Sequence, residues 1–402
     1  MGGQDGSLVR IAIVSDFYLD YIGGAQSSIH EQEAALIAAG HEVFLVSNVR
    51  KSLPSDGLAM GIRPAFTVPG VDLPITRASD TLIGQLASFL TEQAIDIVHL
   101  QTEFGLAHAA TSAARRLGIP VVLTVHTFYW LSVGIGPTLV APIMRAGLQL
   151  AARVRFPRTK HVARPSDNLL RNVTVAMANR VDVVVSPSAH QAVDLRAGGV
   201  QVPIVVVPNP IARSPRPPAV LTAVQAAAPR ILWVARCEPE KRPIPFAEAV
   251  IDALEKTHGA FQVDFVGDGT ELAPLRRLTA GVPGVRVHGA LGHDAVLDLV
   301  DDSALVALVS VGFDNQPMTI AEASSRYRGV LYCDPNLGTG LENGGIRTET
   351  PDAASMSATI VDLVTHPDRL IDLSRGAKQD SATFSAPTYV KRITAVYASA
   401  GS

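Results

Sequence analysis

Short apolar runs alternate with amphipathic stretches along the whole chain. An uninterrupted aliphatic run is typical of a parallel strand buried on both faces, and a 3.6-residue period between such runs is typical of a helix. One such helix is predicted over 26–39, where Gly40 ends the pattern. The alternation therefore predicts an α/β fold built on doubly wound parallel sheets. Strands are expected at 10–15, 42–47, 97–100, 121–125, 183–186 and 204–207, and again at 231–235, 263–266, 285–288, 304–309 and 330–333.

A proline-rich stretch at 208–218 separates the two series of strands. Proline removes a backbone donor and fixes φ, so this stretch suits neither a helix nor a central strand and is interpreted as a linker. At 402 residues, two domains are expected, each large enough to bury its own core. We predict an N-terminal domain over 1–207 and a C-terminal domain over 219–385, which face each other across a hinge. The cleft between them is the default ligand site.

Composition narrows the functional class. The formal net charge is −3, so no general attraction to nucleic acid is implied. The two cysteines, Cys237 and Cys333, make neither a disulfide framework nor a zinc site and suit a reducing cytoplasm. The apolar piece 11–14 is too short for a signal peptide, and the run 131–144 is shorter than the about 20 apolar residues of a membrane-spanning helix. We therefore expect a cytoplasmic protein without a membrane span.

Two carboxylates, Asp314 and Glu322, flank the turn between a predicted strand and the helix that follows it. Open α/β sheets bind ligands at the carboxyl ends of their strands, where this turn lies. The amides of Asn315, Gln316 and Met318 are expected at the helix N-terminus, which favours anionic oxygens. Acids that bind hydroxyls beside amides that suit phosphate indicate a nucleotide-sugar site. The alternative is an ordinary surface turn before a capped helix.

A pair of glycines, Gly23 and Gly24, joins the first predicted strand to the first helix. Adjacent glycines let the backbone approach a ligand and adopt positive φ, and the helix start offers unpaired amides to a phosphate or a sugar. A dinucleotide fingerprint would need a third glycine where Ser27 and Ser28 stand, so the sequence argues against a nicotinamide enzyme. A plain tight turn would also explain the pair.

A histidine, His126, leaves the carboxyl end of the strand predicted at 121–125. From that place it can hydrogen-bond a sugar hydroxyl or a charge that develops in the transition state. His99, at the end of the preceding strand, and Glu103 are expected alongside it. The alternative for each histidine is a buried residue whose hydrogen bonds are satisfied inside the domain.

Two cations begin the second series of elements. Arg236 follows the strand predicted at 231–235, and Lys241 is expected to open the next helix, so both can face one crevice. A guanidinium fork and an ammonium suit a diphosphate that gains charge as it departs. The sequence contains no Asp-any-Asp pair, so these cations rather than magnesium are expected to meet that charge. The alternative is a solvated pair of cations beside Glu238 and Glu240.

In their order along nearly the whole chain, these motifs resemble those of the retaining GT-B glycosyltransferases of family 4. The resemblance implies two Rossmann-like domains that face a central cleft, with a nucleotide-sugar donor held mainly by the second domain and an acceptor held mainly by the first. It also implies a terminal helix over 386–402 that crosses back to the first domain, and no cofactor besides the nucleotide sugar, which is a co-substrate. The motifs are Gly23-Gly24-Ala25-Gln26, His126-Thr127, Val185-Ser186-Pro187-Ser188, Pro208-Asn209, Arg236 with Lys241, Gly267-Asp268-Gly269 and the stretch from Asp314 to Glu322.

The same resemblance implies roles for individual residues. Arg236 and Lys241 would hold the diphosphate, Asp314 would hold the sugar, and His126 would face the sugar near its reacting centre. The family usually has Glu where this chain has Asp314, and in the family a glycine-rich turn usually follows that Glu. The identity of the transferred sugar therefore cannot be carried over from the family to this chain. The remaining donor-binding candidates are Gly23, Gly24, Gly267, Asn315, Gln316, Pro317, Met318 and Glu322, and the acceptor-side candidates are Gln26, Glu103 and Tyr129.

The expected class of acceptor is inferred from the apolar and basic residues of the stretch 129–171. It begins with apolar residues and continues with seven cations against one acid, Asp167. An apolar face beside a basic one is typical of an interfacial helix that binds an anionic leaflet. We therefore expect a lipid or lipid-linked acceptor at the cytoplasmic face of a membrane. The cations are Arg145, Arg153, Arg155, Arg158, Lys160, Arg164 and Arg171.

The expected reaction is retaining, metal-independent transfer from a nucleotide-diphosphate sugar, with a UDP-sugar ranked before GDP-mannose. One alternative keeps this chemistry and has a soluble acceptor, with the apolar residues of 129–171 packed inside the domain. Another alternative is a nucleotide-sugar-binding protein that has lost catalysis. An epimerase or phosphorylase of the same fold is disfavoured because the sequence shows neither a dedicated acid/base pair nor a pyridoxal lysine signature.

Overall fold

The chain divides into two compact units, Met1–Ala212 with Ala386–Ser402 and Arg213–Ser385. The first boundary lies inside the proline-rich stretch 208–218, and the terminal segment groups with the first unit. The computed structural model describes residues 8–20, 23–50, 58–68, 73–126, 141–161, 165–212 and 216–401.

The described part of the first unit is built on a parallel sheet. Its strands are β1 (Arg10–Tyr18), β2 (Glu42–Asn48), β3 (Leu58–Ile62), β4 (Phe66–Val68), β5 (Leu73–Ile75), β6 (Ile97–Leu100), β7 (Val121–Thr124), β8 (Val183–Ser186) and β9 (Ile204–Val206). Its helices are α1 (Gly24–Ala38), α2 (Asp80–Glu92), α3 (Gly105–Leu117), α4 (Ala141–Ala152), α5 (Pro165–Ala178) and α6 (Ala189–Ala197). The sheet order is β3-β2-β1-β6-β7-β8-β9, and β4 pairs with β5 as a separate antiparallel hairpin.

Helices cover both faces of this sheet, which explains its apolar strands. Along β1, Ala12 and Val14 belong to the core on one face, whereas Ile11 and Ile13 belong to the core on the other. All four side chains are buried. A strand covered on both faces cannot alternate apolar and polar residues, so it is read from the sequence as a continuous aliphatic run.

The second unit has the same construction. Its strands are β10 (Arg230–Val234), β11 (Gln262–Val266), β12 (Val285–Gly289), β13 (Leu305–Leu308), β14 (Gly329–Tyr332) and β15 (Gly345–Arg347), in the order β12-β11-β10-β13-β14-β15. Its helices are α7 (Ala223–Ala227), α8 (Pro243–Lys256), α9 (Leu272–Leu278), α10 (His293–Asp302), α11 (Met318–Ser325), α12 (Ala353–Thr365) and α13 (Pro367–Asp380), with 3₁₀ turns at Pro239–Lys241 and Ser381–Phe384. The Phe265 ring in the core lies 5.8 Å from Trp233 and 5.7 Å from Phe246, centroid to centroid.

The last helix, α14 (Ala386–Ala400), packs on the first unit. Its buried residues Tyr389, Ile393, Val396 and Tyr397 share one core with the strand residues Ile11, Ile13, Val122 and Val183. Full burial of one large apolar side chain contributes about 1.5–3 kcal/mol. The helix is therefore part of the core of the first unit.

The prediction of two parallel-sheet α/β domains is confirmed. Strands β6 and β8 have the predicted bounds, and the other predicted strands are present within a residue or two, apart from a longer β1. β3, the β4–β5 hairpin and β15 were not predicted from the sequence, because none of them contains a long aliphatic run. No helix among the described residues combines the length and the apolar content needed to cross a bilayer.

Candidate functional site

In the first unit, polar side chains lie where three neighbouring strands end. Asp16 is near the end of β1, Gln101 directly follows β6, and His126 lies two residues after β7. Because β1 pairs with β6 and β6 pairs with β7, these side chains belong to one edge of the sheet. This is the edge at which open α/β sheets bind ligands.

Asp16 anchors the N-terminus of α3 to this edge. The Asp16 carboxylate accepts hydrogen bonds from the amides of Phe104 at 3.2 Å, Leu106 at 2.7 Å and Ala107 at 3.2 Å, and from the Thr102 hydroxyl at 2.7 Å. Burial raises the pKa of the Asp16 carboxyl, and these hydrogen bonds oppose the rise. Asp16 was not predicted as a site residue, although an acid inside an aliphatic strand is a usable signal in the sequence.

His126 contacts a chain of amide side chains. Its Nε2 lies 2.5 Å from Gln101 Oε1, and Gln101 Nε2 donates to Gln32 Oε1 at 3.2 Å. Burial lowers the pKa of His126 to about 4, so the imidazole is neutral at physiological pH. A neutral imidazole can donate with one ring nitrogen and accept with the other.

His99 does not join His126 in this arrangement. Its Nδ1 lies 2.9 Å from the Tyr397 hydroxyl and its Nε2 lies 2.7 Å from Thr124 Oγ1, and the ring is fully buried. Burial lowers the pKa of His99 to about 3. His99 is therefore the buried, hydrogen-bonded histidine that was the alternative interpretation, and it holds α14 against the sheet.

Glu103, an acceptor-side candidate, is buried in the first unit. Its Oε1 accepts a hydrogen bond from Thr174 Oγ1 at 3.1 Å, and its Oε2 has no partner among the described residues. Burial raises the pKa of Glu103 to about 8, so the group is mainly a neutral carboxylic acid at pH 7. A neutral, enclosed carboxyl can donate a hydrogen bond as well as accept one.

The Gly23-Gly24 pair forms the start of α1. Gly23 is the N-cap with φ −148°, which is ordinary extended backbone, so the expected positive φ is not the reason for this glycine. Among the described residues, nothing lies within 4 Å of a Cβ added at Gly24. Gln26 donates from Nε2 to the Tyr18 carbonyl at 3.4 Å, and Tyr129 lies outside the described residues.

In the second unit, two of the predicted catalytic residues contact each other. The Lys241 ammonium forms an ion pair with the Asp314 carboxylate, which also accepts a hydrogen bond from the Ser310 hydroxyl. Lys241 and Asp314 side chains are 14% and 10% exposed, and the ammonium lies 4.9 Å from the centre of the Phe313 ring. The cation is thus held in a fixed place beside the end of β13.

Arg236 occupies a more open position. Its guanidinium donates to Glu240 Oε1 at 2.9 Å, and its side chain is 58% exposed. Lys241 does not open the next helix as predicted; it ends a 3₁₀ turn, and α8 starts at Pro243. The cause is Arg242, whose φ of 56° breaks the helical path between them.

Gly267 is required by packing at the same sheet edge. Its φ is 140°, and a Cβ there would lie 1.8 Å from the Ala235 carbonyl oxygen. The turn that follows β11 therefore packs directly against the turn that follows β10, and the amide of Cys237 donates to the Asp268 carbonyl at 2.8 Å. Gly267 brings this turn close to Arg236.

The predicted helix after Asp314 is α11, which begins at Met318 with Pro317 as N-cap and no side-chain cap. Asn315 is buried, Gln316 is half-buried, and both precede this helix start. Glu322 lies in the second turn, and its Oε1 is 4.0 Å from Nδ1 of His293 on α10, a neighbour that was not predicted from the sequence. This unit thus gathers two cations, a helix N-terminus and a carboxylate, groups that bind phosphate and hydroxyls.

Comparison with known sequences and structures agrees with this chemistry. Residues 22–214 match the sequence profile of Glycosyltransferase Family 4, and residues 228–366 match the profile of Glycosyl transferases group 1. The structure resembles that of HepE from Anabaena, crystallised with UDP, with a TM-score of 0.68 at 16% identity over 97% of this chain and 100% of that one. At this identity the likeness shows a shared fold.

Two curated relatives match parts of the chain. One is a GDP-mannose-dependent alpha-mannosyltransferase of Mycolicibacterium smegmatis, 29% identical over 42% of this chain and 44% of the relative. The other is an alpha-monoglucosyldiacylglycerol synthase of Acholeplasma laidlawii, 28% identical over 30% of each chain. The chain spans less than half the length of each of these relatives.

We expect Glu103→Gln to change how stability depends on pH. Between the ordinary pKa of 4.5 and the folded pKa of about 8, the unfolded chain carries Glu103 ionised and the folded chain carries it neutral. In this window the folded state therefore binds one more proton than the unfolded state. The stabilisation of the folded state by neutral Glu103 is complete below the ordinary pKa of 4.5 and is lost as the pH rises through the folded pKa of about 8. Relative to the variant, the wild type should lose up to about 1.4 kcal/mol of unfolding free energy per pH unit there.

Denaturant unfolding at several pH values inside this window measures the difference. The exposed residue Glu92 provides a matched control, because Glu92→Gln should leave the pH dependence of the wild type unchanged. Parallel pH curves for the wild type and Glu103→Gln would contradict a neutral buried carboxyl at position 103.

Proposed function

The chain belongs to the family 4 GT-B glycosyltransferases, and from this premise we propose that it moves a sugar from a nucleotide-diphosphate sugar to an acceptor hydroxyl. The observation that carries the proposal is the arrangement at the sheet edge of the second unit. There the Lys241 ammonium is held by Asp314, Arg236 extends into solvent, and α11 begins without a side-chain cap. These groups suit a diphosphate, while Glu322 suits ribose hydroxyls.

The proposed step retains the configuration of the anomeric carbon. The acceptor oxygen forms a bond to that carbon on the face from which the diphosphate leaves, and the bond between the carbon and the phosphate oxygen breaks. The electron pair of that bond stays with the diphosphate, which also takes the acceptor proton. Lys241 and Arg236 stabilise the charge that develops on the leaving group, so no metal ion is assigned to this step.

His126 is assigned to the sugar. Because its imidazole is neutral, it contributes a hydrogen bond rather than a full charge. Asp314 already accepts from Lys241 and Ser310, which commits its carboxylate to positioning. A covalent glycosyl intermediate on Asp314 is therefore not part of the proposal.

The donor that we rank first is GDP-mannose. This ranking differs from the order expected from the sequence, and it is supported by the name of the mannosyltransferase relative that matches 42% of the chain. UDP-sugars are the second choice, since the departures at 314–317 leave the sugar pocket undetermined.

For the acceptor we propose a lipid or a lipid-linked glycan, met at the cytoplasmic face of a membrane. Helix α4 exposes Ile143 by 74% and Leu150 by 65%, and the cations Arg155, Arg158 and Lys160 follow it with exposed side chains. An apolar surface beside exposed cations suits an anionic membrane surface. The name of the glucosyldiacylglycerol synthase relative is consistent with a lipid acceptor.

Fewer cations are available than the sequence suggested. Arg145 donates to the carbonyls of Phe156 and Pro157, Arg153 pairs with Asp80 at 2.8 Å, and Arg171 is buried. Arg164 and all the residues of this stretch that precede α4 lie outside the described residues. The proposed surface therefore rests on α4 and the three exposed cations after it.

Donor turnover tests the proposed function directly. The protein is incubated with GDP-mannose and with a panel of UDP-sugars, first alone and then with lipid extracts or soluble sugars as acceptors. We expect slow hydrolysis of GDP-mannose alone, faster consumption with a lipid acceptor, and an α-linked product by proton NMR. Binding without turnover would favour the sugar-nucleotide-binding alternative, transfer to soluble sugars alone would favour a soluble acceptor, and a β-linked product would exclude retention.

Removal of one leaving-group cation should slow turnover strongly. Arg236→Ala and Lys241→Ala are each expected to lower kcat on the order of a hundredfold, as for the loss of one preorganised charge donor, and a chelator should leave the rate unchanged. Lys256→Ala is the matched control for Arg236→Ala, because Lys256 forms an exposed pair with Asp252 at 2.5 Å on α8, as Arg236 does with Glu240. Near-normal turnover in Arg236→Ala, or strong inhibition by the chelator, would contradict the assigned roles.

Membrane binding should depend on the cations that follow α4. Liposome flotation is expected to show binding to anionic vesicles, no binding to zwitterionic vesicles, and weakening with salt. Arg155→Glu with Arg158→Glu should abolish binding, whereas the same charge change at the exposed residues Arg277 and Arg286 of the second unit should have little effect. An equal loss of vesicle binding in the two variants would indicate that binding depends only on the net charge of the protein. If the protein does not float with anionic vesicles at low salt, the membrane proposal is wrong.

A further inference from the structure

A buried hydrogen-bond chain connects the terminal helix to His126. Tyr389 on α14 donates its hydroxyl to Gln32 Oε1 at 2.8 Å, and Gln101 Nε2 donates to the same oxygen at 3.2 Å. Gln101 Oε1 then lies 2.5 Å from His126 Nε2. Tyr389, Gln32 and Gln101 are all buried in the first unit, so each polar atom needs a partner inside the protein.

The direction of this chain follows from the Tyr389 hydroxyl. Within the described residues, the partner of that hydroxyl is the Gln32 side chain, so the O–H must donate to it or remain unsatisfied. A donating Tyr389 requires the oxygen of Gln32 at that position, which requires the nitrogen of Gln101 to face it. The oxygen of Gln101 is then left to face His126, and His126 must carry its proton on Nε2.

The other side of Gln32 is consistent with this direction. Its Nε2 donates to Ser28 Oγ at 3.1 Å and to Asn209 Oδ1 at 3.2 Å, which uses both hydrogens of the amide. The 3.5 Å separation between Gln32 Nε2 and His126 Nε2 is therefore a contact between two N–H groups. In the reversed chain both amides would flip, and the buried Tyr389 O–H would lose its acceptor.

We propose that Tyr389 is a positioning residue that, through Gln32 and Gln101, fixes His126 as the tautomer protonated on Nε2, with the lone pair on Nδ1 available to accept a hydrogen bond. The link to a sugar hydroxyl rests on the proposed function, whereas the tautomer itself does not. A helix more than two hundred residues further along the chain thus determines which hydrogen bond His126 can make.

The chemistry of His126 makes the tautomer matter. Burial lowers the pKa of its imidazole to about 4, so at neutral pH one nitrogen donates and the other accepts. A ligand hydroxyl at Nδ1 would then have to act as the donor. If the hydrogen bonds between Tyr389 and His126 had the opposite direction, Nδ1 would carry the proton. The same ligand hydroxyl would then have to act as an acceptor.

Nitrogen-15 NMR of the full-length protein with labelled histidine tests the proposal without any substrate. The His126 signals, assigned by their loss in His126→Gln, should show a protonated Nε2 and an unprotonated Nδ1. The cost of an unsatisfied buried hydroxyl predicts that this form exceeds the other by more than about fivefold. In Tyr389→Phe that cost is absent, and both tautomers should be detected.

Tyr397→Phe is the matched control, because Tyr397 is a second buried tyrosine on α14 that contacts His99 instead of this chain. It should leave the His126 signals unchanged. A wild type with the proton on Nδ1, or a Tyr389→Phe spectrum identical to that of the wild type, would overturn the proposal.

Gln101→Glu keeps the proposal testable if Tyr389→Phe does not fold. A carboxylate at 101 can only accept, so the proton should stay on Nε2 and the pKa of His126 should rise. A change of tautomer in this variant would show that the hydrogen bonds in the wild type have the opposite direction, with the proton of His126 on Nδ1. These spectra are independent of turnover, so loss of the proposed transferase activity and loss of the tautomer are distinguishable outcomes.

Discussion

The parallel strands of this protein are covered on both faces, and this burial limits where polar side chains can lie. Inside such a sheet, backbone groups are paired and most side chains are surrounded by apolar atoms, so polar side chains are tolerated at low cost mainly where the strands end. His99, inside β6, is tolerated because both of its ring nitrogens have buried hydrogen-bond partners. In the first unit, Asp16, Gln101 and His126 occupy such ends. In the second unit, Arg236 and Asp314 follow β10 and β13 in the same way. The chemistry of each unit is therefore set by where its strands stop.

At both edges, charged and polar groups are held by fixed partners. Asp16 is surrounded by the amides that begin α3, and Lys241 is held between Asp314 and the Phe313 ring. A group that is already oriented does not have to reorganise when charge develops on a ligand, which is the condition for strong electrostatic stabilisation. Arg236 differs from Lys241 in this respect, because its exposed side chain can move towards a phosphate.

The sequence was sufficient for the architecture because doubly buried strands leave a local signal. β6 and β8 have their predicted bounds, whereas β15 reads Gly-Ile-Arg and forms only beside β14. For the site, the sequence singled out both Lys241 and Asp314, but their direct contact depends on how the turns after β10 and β13 fold. Gln32 and Tyr389 were not predicted because their role depends on a hydrogen bond between residues 357 positions apart in the sequence. No local sequence pattern encodes such a contact.

The return of α14 to the first unit has a consequence for synthesis. The residues of Arg213–Ser385 leave the ribosome between the main part of the first unit and its last helix. At about 5–20 residues per second, that interval lasts roughly 10–35 s. During it, the face of the sheet formed by Ile11, Ile13 and Val122 has the cover of α1 but lacks that of α14, and Gln32 lacks the hydroxyl of Tyr389. The nascent first unit therefore exposes an aliphatic surface of the kind that chaperones bind until the last helix has been made.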